Sequence, residues 1–327
     1  MKVAIYGAGA IGAHLGGMLA KAGVKTALIA RGPHLAAMQA DGLLCKFQDG
    51  SEFRVHPTAT DDPASLGVQD YVICTLKAHQ SPGVVDLMQP MLGPETAVVT
   101  AMNGVPWWYF HGLGGEHDGR TLESVDPGRA QWDGLGPERA IGMVVHPATE
   151  IVAPGVMQHM EGDAYPIGEP SGEKTARIEA LSAMLAEAGL RAPIRPKIRD
   201  EIWMKLWGNL CLNPVSALTG STLAGLGRDE GVRDLLFAVA AEGRAVGEAL
   251  GARFRVTAER RLSAAFDVGE HKTSMLQDLE RGRPMEIDAL VTAVAELGDI
   301  VGVDTPLLDA VLALVRLKAR NAGLYPA

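Results

Sequence analysis

The first half of the chain alternates between short β-prone runs and longer helical stretches. The apolar runs are rich in Val, Ile and Ala and are bounded by Gly or polar residues, which is typical of buried strands. Short strands that alternate with helices predict a parallel sheet covered by helices on both faces. The predicted strands are 2–6, 25–30, 71–76, 97–101, 141–145 and 155–159, and the predicted helices are 11–22 and 33–41.

The second half of the chain has a different pattern, with few strand-like runs. Near the C-terminus, Leu308, Val311, Leu312 and Val315 recur at helical spacing. The segment GEPSG at 168–172 has the composition of a junction. We therefore predict an α/β domain over residues 1–170, followed by an all-α domain over 171–327. The predicted helices are 174–189, 198–219, 229–250, 257–267 and 305–322.

Composition agrees with two globular domains and excludes several classes of protein. The chain has 327 residues, and about 150 residues per domain is usual. Its net charge of −9 argues against a nucleic-acid partner. Three widely spaced cysteines do not form a disulfide framework, and no apolar run reaches the roughly 18 residues of a membrane span. These features favour a cytoplasmic protein with no membrane segment.

A glycine motif of the form G-x-G-x-x-G lies between the first predicted strand and the first predicted helix. Gly7 permits a tight turn, Gly9 lets a pyrophosphate approach the backbone, and Gly12 lets the helix pack closely on the sheet. The helix N-terminus then offers free N–H groups to the phosphates. An ordinary glycine turn is the alternative, but the strand-to-helix context favours a Rossmann-type dinucleotide site. The motif residues are Gly7, Ala8, Gly9, Ala10, Ile11 and Gly12.

The end of the second predicted strand bears on the choice between NAD and NADP. An NAD site usually places an acidic residue there, to bind the ribose hydroxyls. This strand ends instead at Arg31, whose guanidinium suits a 2′-phosphate. Lys77 follows the strand at 71–76 and can reach the same edge of the sheet. Two solvated surface cations are the alternative interpretation; the sequence favours NADP(H).

One predicted helix carries a polar stripe on an otherwise apolar surface. Lys205, Asn209 and Asn213 are spaced four residues apart, so at about 100° per residue they share one face. A buried helix must have partners for such a stripe, and a ligand is one candidate. Pro214 adds an acceptor, because it cannot bond to the carbonyl of Leu210. A structural ladder to a neighbouring helix is the alternative.

Residues 107–136 form an aromatic, Gly-rich stretch without clear periodicity. They include Trp107, Trp108, Tyr109, Phe110 and Trp132. An aromatic-anchored surface loop and a flap over a ligand cleft are the two interpretations. His111, Glu116, His117 and Asp118 have no recognised metal-ligand spacing, so no metal site is predicted.

A second polar cluster lies at Ser274–Asp288, where Glu286 stands in an apolar run. With this cluster included, the chain resembles the ketopantoate reductase (2-dehydropantoate 2-reductase) family. That family supplies pantoate for pantothenate and coenzyme A. The segments that carry the resemblance are GAGAIG at 7–12, Arg31, TLKAHQ at 75–80, MNGV at 102–105, EIWMKLWGNLCLNP at 201–214 and TSMLQDLERGRPMEID at 273–288.

The resemblance implies a role for each matching position. Lys205 corresponds to the catalytic lysine that protonates the ketone oxygen, and the substrate-binding positions are Asn103, Asn209, Asn213 and Ser274. Besides the glycine motif, Arg31 and Lys77, the implied cofactor contacts are Asn103, Ala148 and Glu286. Two departures bear on the substrate: Leu223 stands where well-known members have a further Asn, and the stretch 107–136 exceeds a compact loop.

The expected activity is NADPH-dependent reduction of a 2-oxo acid, 2-dehydropantoate, to a 2-hydroxy acid in a cleft between the domains. A reductase of another 2-oxo acid and a non-catalytic NADP(H)-sensing protein are the alternatives. The expected partner is the small-molecule substrate, and the apolar helical half can serve either a core or a homodimer.

Overall fold

The computed structural model describes residues 1–326, which form two compact units. The N-terminal unit consists of residues 1–102, 106–121 and 126–198. The C-terminal unit contains the chain from Arg199 onward and two short segments, Asn103–Val105 and Leu122–Val125. The domain boundary predicted at 170/171 stays a prediction.

The helices and strands of the described residues follow one another in the order that the alternating pattern suggests. The strands are β1 (Lys2–Tyr6), β2 (Lys25–Ile29), β3 (Leu43–Lys46), β4 (Glu52–Val55), β5 (Thr58–Thr60), β6 (Gln69–Cys74), β7 (Leu92–Thr100), β8 (Ala140–Met143), β9 (Ala148–Ala153), β10 (Val156–Glu161) and β11 (Ile167–Gly168). The α-helices are α1 (Ala10–Lys21), α2 (Gly32–Asp41), α3 (Val85–Met88), α4 (Ala130–Leu135), α5 (Ala176–Glu187), α6 (Ile198–Thr219), α7 (Leu223–Arg228), α8 (Glu230–Ala249), α9 (Ala258–Phe266), α10 (Ser274–Glu280), α11 (Ala293–Val301) and α12 (Pro306–Asn321).

The main sheet of the N-terminal unit has seven strands in the order β11-β8-β7-β6-β1-β2-β5. All neighbouring pairs are parallel except β11 with β8, which is antiparallel. The central strands are buried along most of their length, and β1 is covered from Val3 to Tyr6. This burial on both faces explains their nearly continuous apolar runs.

A second sheet of four strands, β4-β3-β10-β9, packs on the other side of α1. Two consecutive glycines make this sandwich possible, because a Cβ on Gly16 would overlap Leu28 of β2. A Cβ on Gly17 would lie 2.5 Å from the Sγ of Cys45 in β3. The helix therefore contacts both sheets closely only because these positions have no side chain.

The core of the C-terminal unit is built around α6. Trp203, Trp207 and Leu210 are buried on one of its faces. They meet α8 where it has glycines: a Cβ on Gly243 would lie 2.5 Å from Leu210, and one on Gly247 would lie 3.1 Å from Trp203. The indole of Trp207 also donates to the carbonyl of Ala240 at 2.8 Å. Close helix packing thus holds α6 and its polar stripe in place.

The predicted fold class is confirmed: an α/β sheet domain is followed by a predominantly helical one. Every strand and helix predicted from the sequence is present, with ends that differ by a few residues. The strands β3, β4, β5, β9 and β11 and the helices α3, α4, α7, α10 and α11 were not predicted. These missed elements are mostly short and partly exposed, so their apolar periodicity is weak.

The aromatic stretch is anchored by buried rings at its N-terminal end, which agrees with the interpretation as an aromatic-anchored loop; the flap interpretation stays a prediction. Trp107, Trp108, Tyr109 and Phe110 are at most 3 % exposed. The indole of Trp108 donates to the Oγ1 of Thr100 at 2.8 Å, at the end of β7. These rings belong to the core of the N-terminal unit, since four adjacent large apolar surfaces are stabilising only when buried.

The cysteines and the helices add two further observations. Cys45, Cys74 and Cys211 are free and buried, and burial raises the pKa of each thiol, to about 12 for Cys45 and Cys211. Among residues 1–326, no helix is long and apolar enough to cross a membrane.

Candidate functional site

The glycine motif forms a tight loop between β1 and α1. Gly7 has φ +104°, and a Cβ there would lie 2.8 Å from the side chain of Leu76. A Cβ on Gly12 would overlap the carbonyl oxygen of Gly7, whereas Gly9 faces open space. The loop therefore has the geometry expected for phosphate binding: two glycines are required by packing and the third leaves the helix N-terminus accessible.

A cavity of about 300 Å³ opens beside this loop. The residues that line it all belong to the N-terminal unit. They come from the end of β1 and the glycine loop, from the end of β2 and the start of α2, from the position after β5, and from the segment between β6 and α3: Tyr6, Gly7, Ala8, Gly9, Ile29, Ala30, Arg31, His34, Asp61, Leu76, Gln80, Val84 and Leu87. Arg31 is exposed at the start of α2. Lys77 is half-buried and precedes the short turn that carries Gln80.

The cavity also contains an acidic residue that the sequence analysis missed. Strand β5 pairs with β2 so that Ile29 lies opposite Thr60, and the N–H of Ala30 donates to the carbonyl of Thr60 at 3.0 Å. Asp61 follows directly and therefore lies at the same edge as Arg31. The expected acid is absent from β2 itself but is supplied by the neighbouring strand, which was not predicted.

The polar stripe predicted on α6 is present in the structure, because the helix is continuous from Ile198 to Thr219. Asn213 is only 5 % exposed, and its Nδ2 lies 3.5 Å from the Oγ of Ser274, the first residue of α10. Lys205 and Asn209 are half-buried on the same face. The structure thus brings Asn213 and Ser274 together, although they are distant in sequence.

The electrostatic surroundings of Lys205 are unusual for a lysine. Loss of hydration lowers the pKa of its amine to about 8; the carboxylate of Glu286 opposes this shift and the guanidinium of Arg261 reinforces it. An amine with a pKa near neutrality can both hold and release a proton at physiological pH. Lys205 is therefore suited to proton transfer, and Glu286 is its carboxylate neighbour.

The segment Asn103–Val105 joins this arrangement within the C-terminal unit. The Nδ2 of Asn103 donates to the Oε2 of Glu286 at 3.4 Å, and the N–H of Val105 donates to the carbonyl of Ala289 at 3.0 Å. The Oδ1 of Asn103 is buried and accepts no hydrogen bond from residues 1–326. A buried oxygen that accepts no hydrogen bond is suited to a ligand that donates one to it.

The remaining predicted positions belong to the N-terminal unit. Ala148 is the first residue of β9, in the second sheet of the N-terminal unit. The glycine motif, Arg31 and Lys77 also belong to that unit, whereas Asn103, Lys205, Ser274 and Glu286 belong to the C-terminal unit. Within the described part of the chain, no group of three or more His, Cys, Asp or Glu residues is placed to hold a metal ion.

Comparison with protein families agrees with both halves of this description. Residues 3–172 match the family model described as ketopantoate reductase PanE/ApbA. Residues 197–319 match the model of the C-terminal part of the same family, ketopantoate reductase PanE/ApbA C terminal. Together the two models cover most of the chain.

Individual proteins give the same result. A 2-dehydropantoate 2-reductase of Mesorhizobium japonicum is 55% identical over 326 residues, which cover 99% of this chain and 100% of that protein. The crystal structure of a candidate ketopantoate reductase from Ralstonia solanacearum has a TM-score of 0.94 at 41% identity, with 99% of each chain covered. A D-mandelate dehydrogenase bound to NADH and anilino(oxo)acetate has the same fold, with a TM-score of 0.83 at 22% identity, 99% of this chain and 100% of that chain covered.

Proposed function

The chain belongs to the ketopantoate reductase family, and we propose that it reduces 2-dehydropantoate to pantoate with NADPH. The observation that carries the proposal is the Lys205 amine, with its lowered pKa, on the helix face that also holds Asn209 and Asn213. We further propose that the reaction serves pantothenate and coenzyme A synthesis in the cytoplasm, as the family implies.

A reduced nicotinamide, when bound, would supply the hydride to the ketone carbon. Groups of the protein supply the proton and orient the substrate. Lys205 protonates the oxygen on which negative charge develops. Glu286 favours the protonated amine, since its carboxylate raises the pKa of Lys205. Asn209, Asn213 and Ser274 orient the substrate through hydrogen bonds, which lowers the entropic part of the barrier.

We also propose which residues bind the cofactor. The backbone of Gly7–Gly12, with the N-terminus of α1, binds the pyrophosphate, and Arg31 and Lys77 bind the 2′-phosphate. Asn103, whose Oδ1 accepts no hydrogen bond from residues 1–326, is proposed to contact the cofactor and the substrate. Ala148 and Glu286 are the other proposed cofactor contacts.

A turnover panel tests this proposal against its alternatives. Loss of NADPH absorbance is followed with 2-dehydropantoate and with other 2-oxo acids, and NADH is run in parallel. The highest kcat/KM is expected with 2-dehydropantoate and NADPH. A higher value with another 2-oxo acid identifies a reductase of that acid. If no 2-oxo acid is reduced while NADPH still binds, the protein is an NADP(H)-sensing one.

Replacement of Arg31 and Asp61 tests the preference for NADPH. Arg31→Ala should raise KM for NADPH by about 10- to 100-fold and change KM for NADH little, because one charge-assisted contact to the 2′-phosphate is lost. Asp61→Ala should instead lower KM for NADPH and raise KM for NADH, because the carboxylate of Asp61 repels the 2′-phosphate and suits a ribose hydroxyl. Both KM values are measured for both variants; equal weakening of the two cofactors by Arg31→Ala would contradict the phosphate role.

We also propose that the protein forms a homodimer and that the exposed apolar face of α12 forms the interface. Leu307, Leu314 and Leu317 are 39 %, 56 % and 53 % exposed, and with Ala310 they follow the 3-4-3 spacing of a coiled-coil seam. Light scattering should give the mass of a dimer for the wild type and of a monomer for Leu314→Glu. A wild-type monomer, or a dimer that this charge does not disturb, would remove α12 from the interface.

A further inference from the structure

A π-helical turn, Asp288–Thr292, lies directly before α11, and Glu286 stands two residues ahead of it. The turn is closed by the N–H of Ala293, which donates to the carbonyl of Asp288, five residues back. Single π turns are rare and occur frequently at functional sites. The contacts that hold this turn therefore bear on where Glu286 lies.

The carboxylate of Asp288 is held by three side chains. Its Oδ1 accepts from the hydroxyl of Tyr325 at 2.5 Å and from the Oγ1 of Thr292 at 2.8 Å, and the Nη2 of Arg316 lies 3.4 Å away. Arg316 also donates to the Oγ1 of Thr292 at 2.8 Å and to the hydroxyl of Tyr325 at 3.1 Å. This closed network ties both ends of the π turn to α12 and to the segment after it. Hydrogen bonds to a charged group are the stronger kind.

Tyr325, just beyond the end of α12, is itself well fixed. It is half-buried, and the guanidinium carbons of Arg316 and Arg320 lie 5.8 Å and 5.6 Å from the centre of its ring, within the range of a cation–π contact. Loss of hydration raises the pKa of Tyr325, and the carboxylate of Asp288 raises it further. The hydroxyl therefore keeps its proton and donates it to Asp288.

The π turn also supports the backbone of residues 103–105. The N–H of Val105 donates to the carbonyl of Ala289 at 3.0 Å. Gly104 has φ +90°, and a Cβ there would overlap the same carbonyl oxygen. The two backbones therefore approach closely only because position 104 has no side chain, and a shift of the turn would shift this segment with it.

The supported segment carries Asn103, whose Nδ2 donates to the Oε2 of Glu286 at 3.4 Å. Both residues belong, with Tyr325, to the C-terminal unit. The π turn thus has the Tyr325 network on its own carboxylate and two proposed cofactor contacts next to it in sequence or in space.

We propose that Tyr325 is a positioning residue for cofactor binding: through Asp288 it fixes the π turn, and the turn fixes Glu286 and Asn103. The inference rests on the proposed function, in which Glu286 and Asn103 contact the cofactor. Groups that bind a ligand must be held within about 0.5 Å of their productive positions, so the geometry of the turn affects binding. Tyr325 acts through these residues and need not contact the ligand.

Tyr325→Phe tests the role, because it removes the hydroxyl and keeps the ring. Hydrogen exchange of the Val105 amide should become about 10-fold faster, since its acceptor on the π turn is held less firmly. The Kd for NADPH, measured by fluorescence titration of the whole chain, should rise by about 10-fold. Thr292→Val removes a second donor to Asp288 and should change both quantities in the same direction.

Two controls separate positioning from a general loss of stability. Glu242→Gln is the matched control, because the carboxylate of Glu242 accepts from the N–H groups of Leu307 and Leu308 at the other end of α12. It should leave the exchange of Val105 and the Kd for NADPH unchanged. In a Glu286→Gln background, Tyr325→Phe should weaken NADPH by less than about threefold more, because the contact that it positions is already lost.

The possible outcomes separate this inference from the proposed function. If Tyr325→Phe leaves the Kd for NADPH unchanged, whatever its effect on exchange or stability, the positioning role is overturned even when the wild type reduces 2-dehydropantoate. An equal loss of affinity with and without Glu286 also overturns it. If the wild type reduces no 2-oxo acid but binds NADPH in a Tyr325-dependent way, the reductase assignment fails and the positioning role stands. If the wild type does not bind NADPH, both are overturned.

Discussion

Lys205→Ala should lower kcat by about 10²- to 10⁴-fold, the range that a general acid contributes. The loss arises because no other amine on the polar face of α6 can protonate the ketone oxygen as charge develops there. Binding of NADPH should stay nearly intact, since the loop and Arg31 that are proposed to hold its phosphates lie in the N-terminal unit. Steady-state kinetics and a fluorescence titration with NADPH measure the two effects separately.

Lys197→Ala is the matched control, because this exposed lysine immediately precedes α6 and should have no effect on kcat. The pH profile adds a second test. With a pKa of about 8 in the free protein, Lys205 loses its proton as pH rises, so kcat/KM of the wild type should fall above about pH 8. A folded, NADPH-binding Lys205→Ala variant within about threefold of the wild-type kcat would contradict the proposed mechanism.

Trp108→Ala should destabilise the N-terminal unit by about 3–5 kcal/mol, the usual cost of removing a buried aromatic side chain. The indole is fully buried at the end of β7, and its Nε1 donates to Thr100. A Cβ on Gly142 of β8 would lie 2.8 Å from its ring, so the ring fills a space shaped by a glycine. Denaturant unfolding measures the loss, and the variant that remains folded should keep its substrate preference.

Trp132→Ala is the comparison for this prediction, because Trp132 lies in the same stretch but is only half-buried, beside Arg129 and His111. Its effect on stability should be clearly smaller. If Trp108→Ala instead retained wild-type stability and changed the ranking of 2-oxo acids, the flap interpretation would be supported and the core assignment would be wrong.

Strong local patterns explain which parts of the fold and site were predictable. The strand at Lys2–Tyr6 and the helix at Ile198–Thr219 carry long, unambiguous apolar patterns, and both have the predicted ends. The stripe of Lys205, Asn209 and Asn213 needs only the helical period to share a face. The glycine motif likewise depends on neighbours within a few residues, so its turn geometry follows from local sequence.

Contacts between segments that are distant along the chain could not be predicted from local patterns. Asp61 joins the cavity because β5 pairs with β2, and three partly exposed residues in β5 carry too little periodicity to be recognised as a strand. Arg261 is one of several charged residues on α9, and only the missing side chain at Gly208 brings its guanidinium against α6. The sign of the pKa shift of Lys205 also depends on the relative strength of dehydration, Glu286 and Arg261.

The sequence by itself determined the alternation of strands and helices, the tight glycine loop between β1 and α1, and the helix face with Lys205, because each depends on residues that are close along the chain. Only the tertiary structure decided that Trp108 is a core residue, that Asn103 contacts Glu286, that Asp61 lines the cavity beside the glycine loop, and that Arg261 packs against Gly208 of α6. Burial and charge pairing between distant segments are properties of packing, and a periodicity along one segment does not contain them.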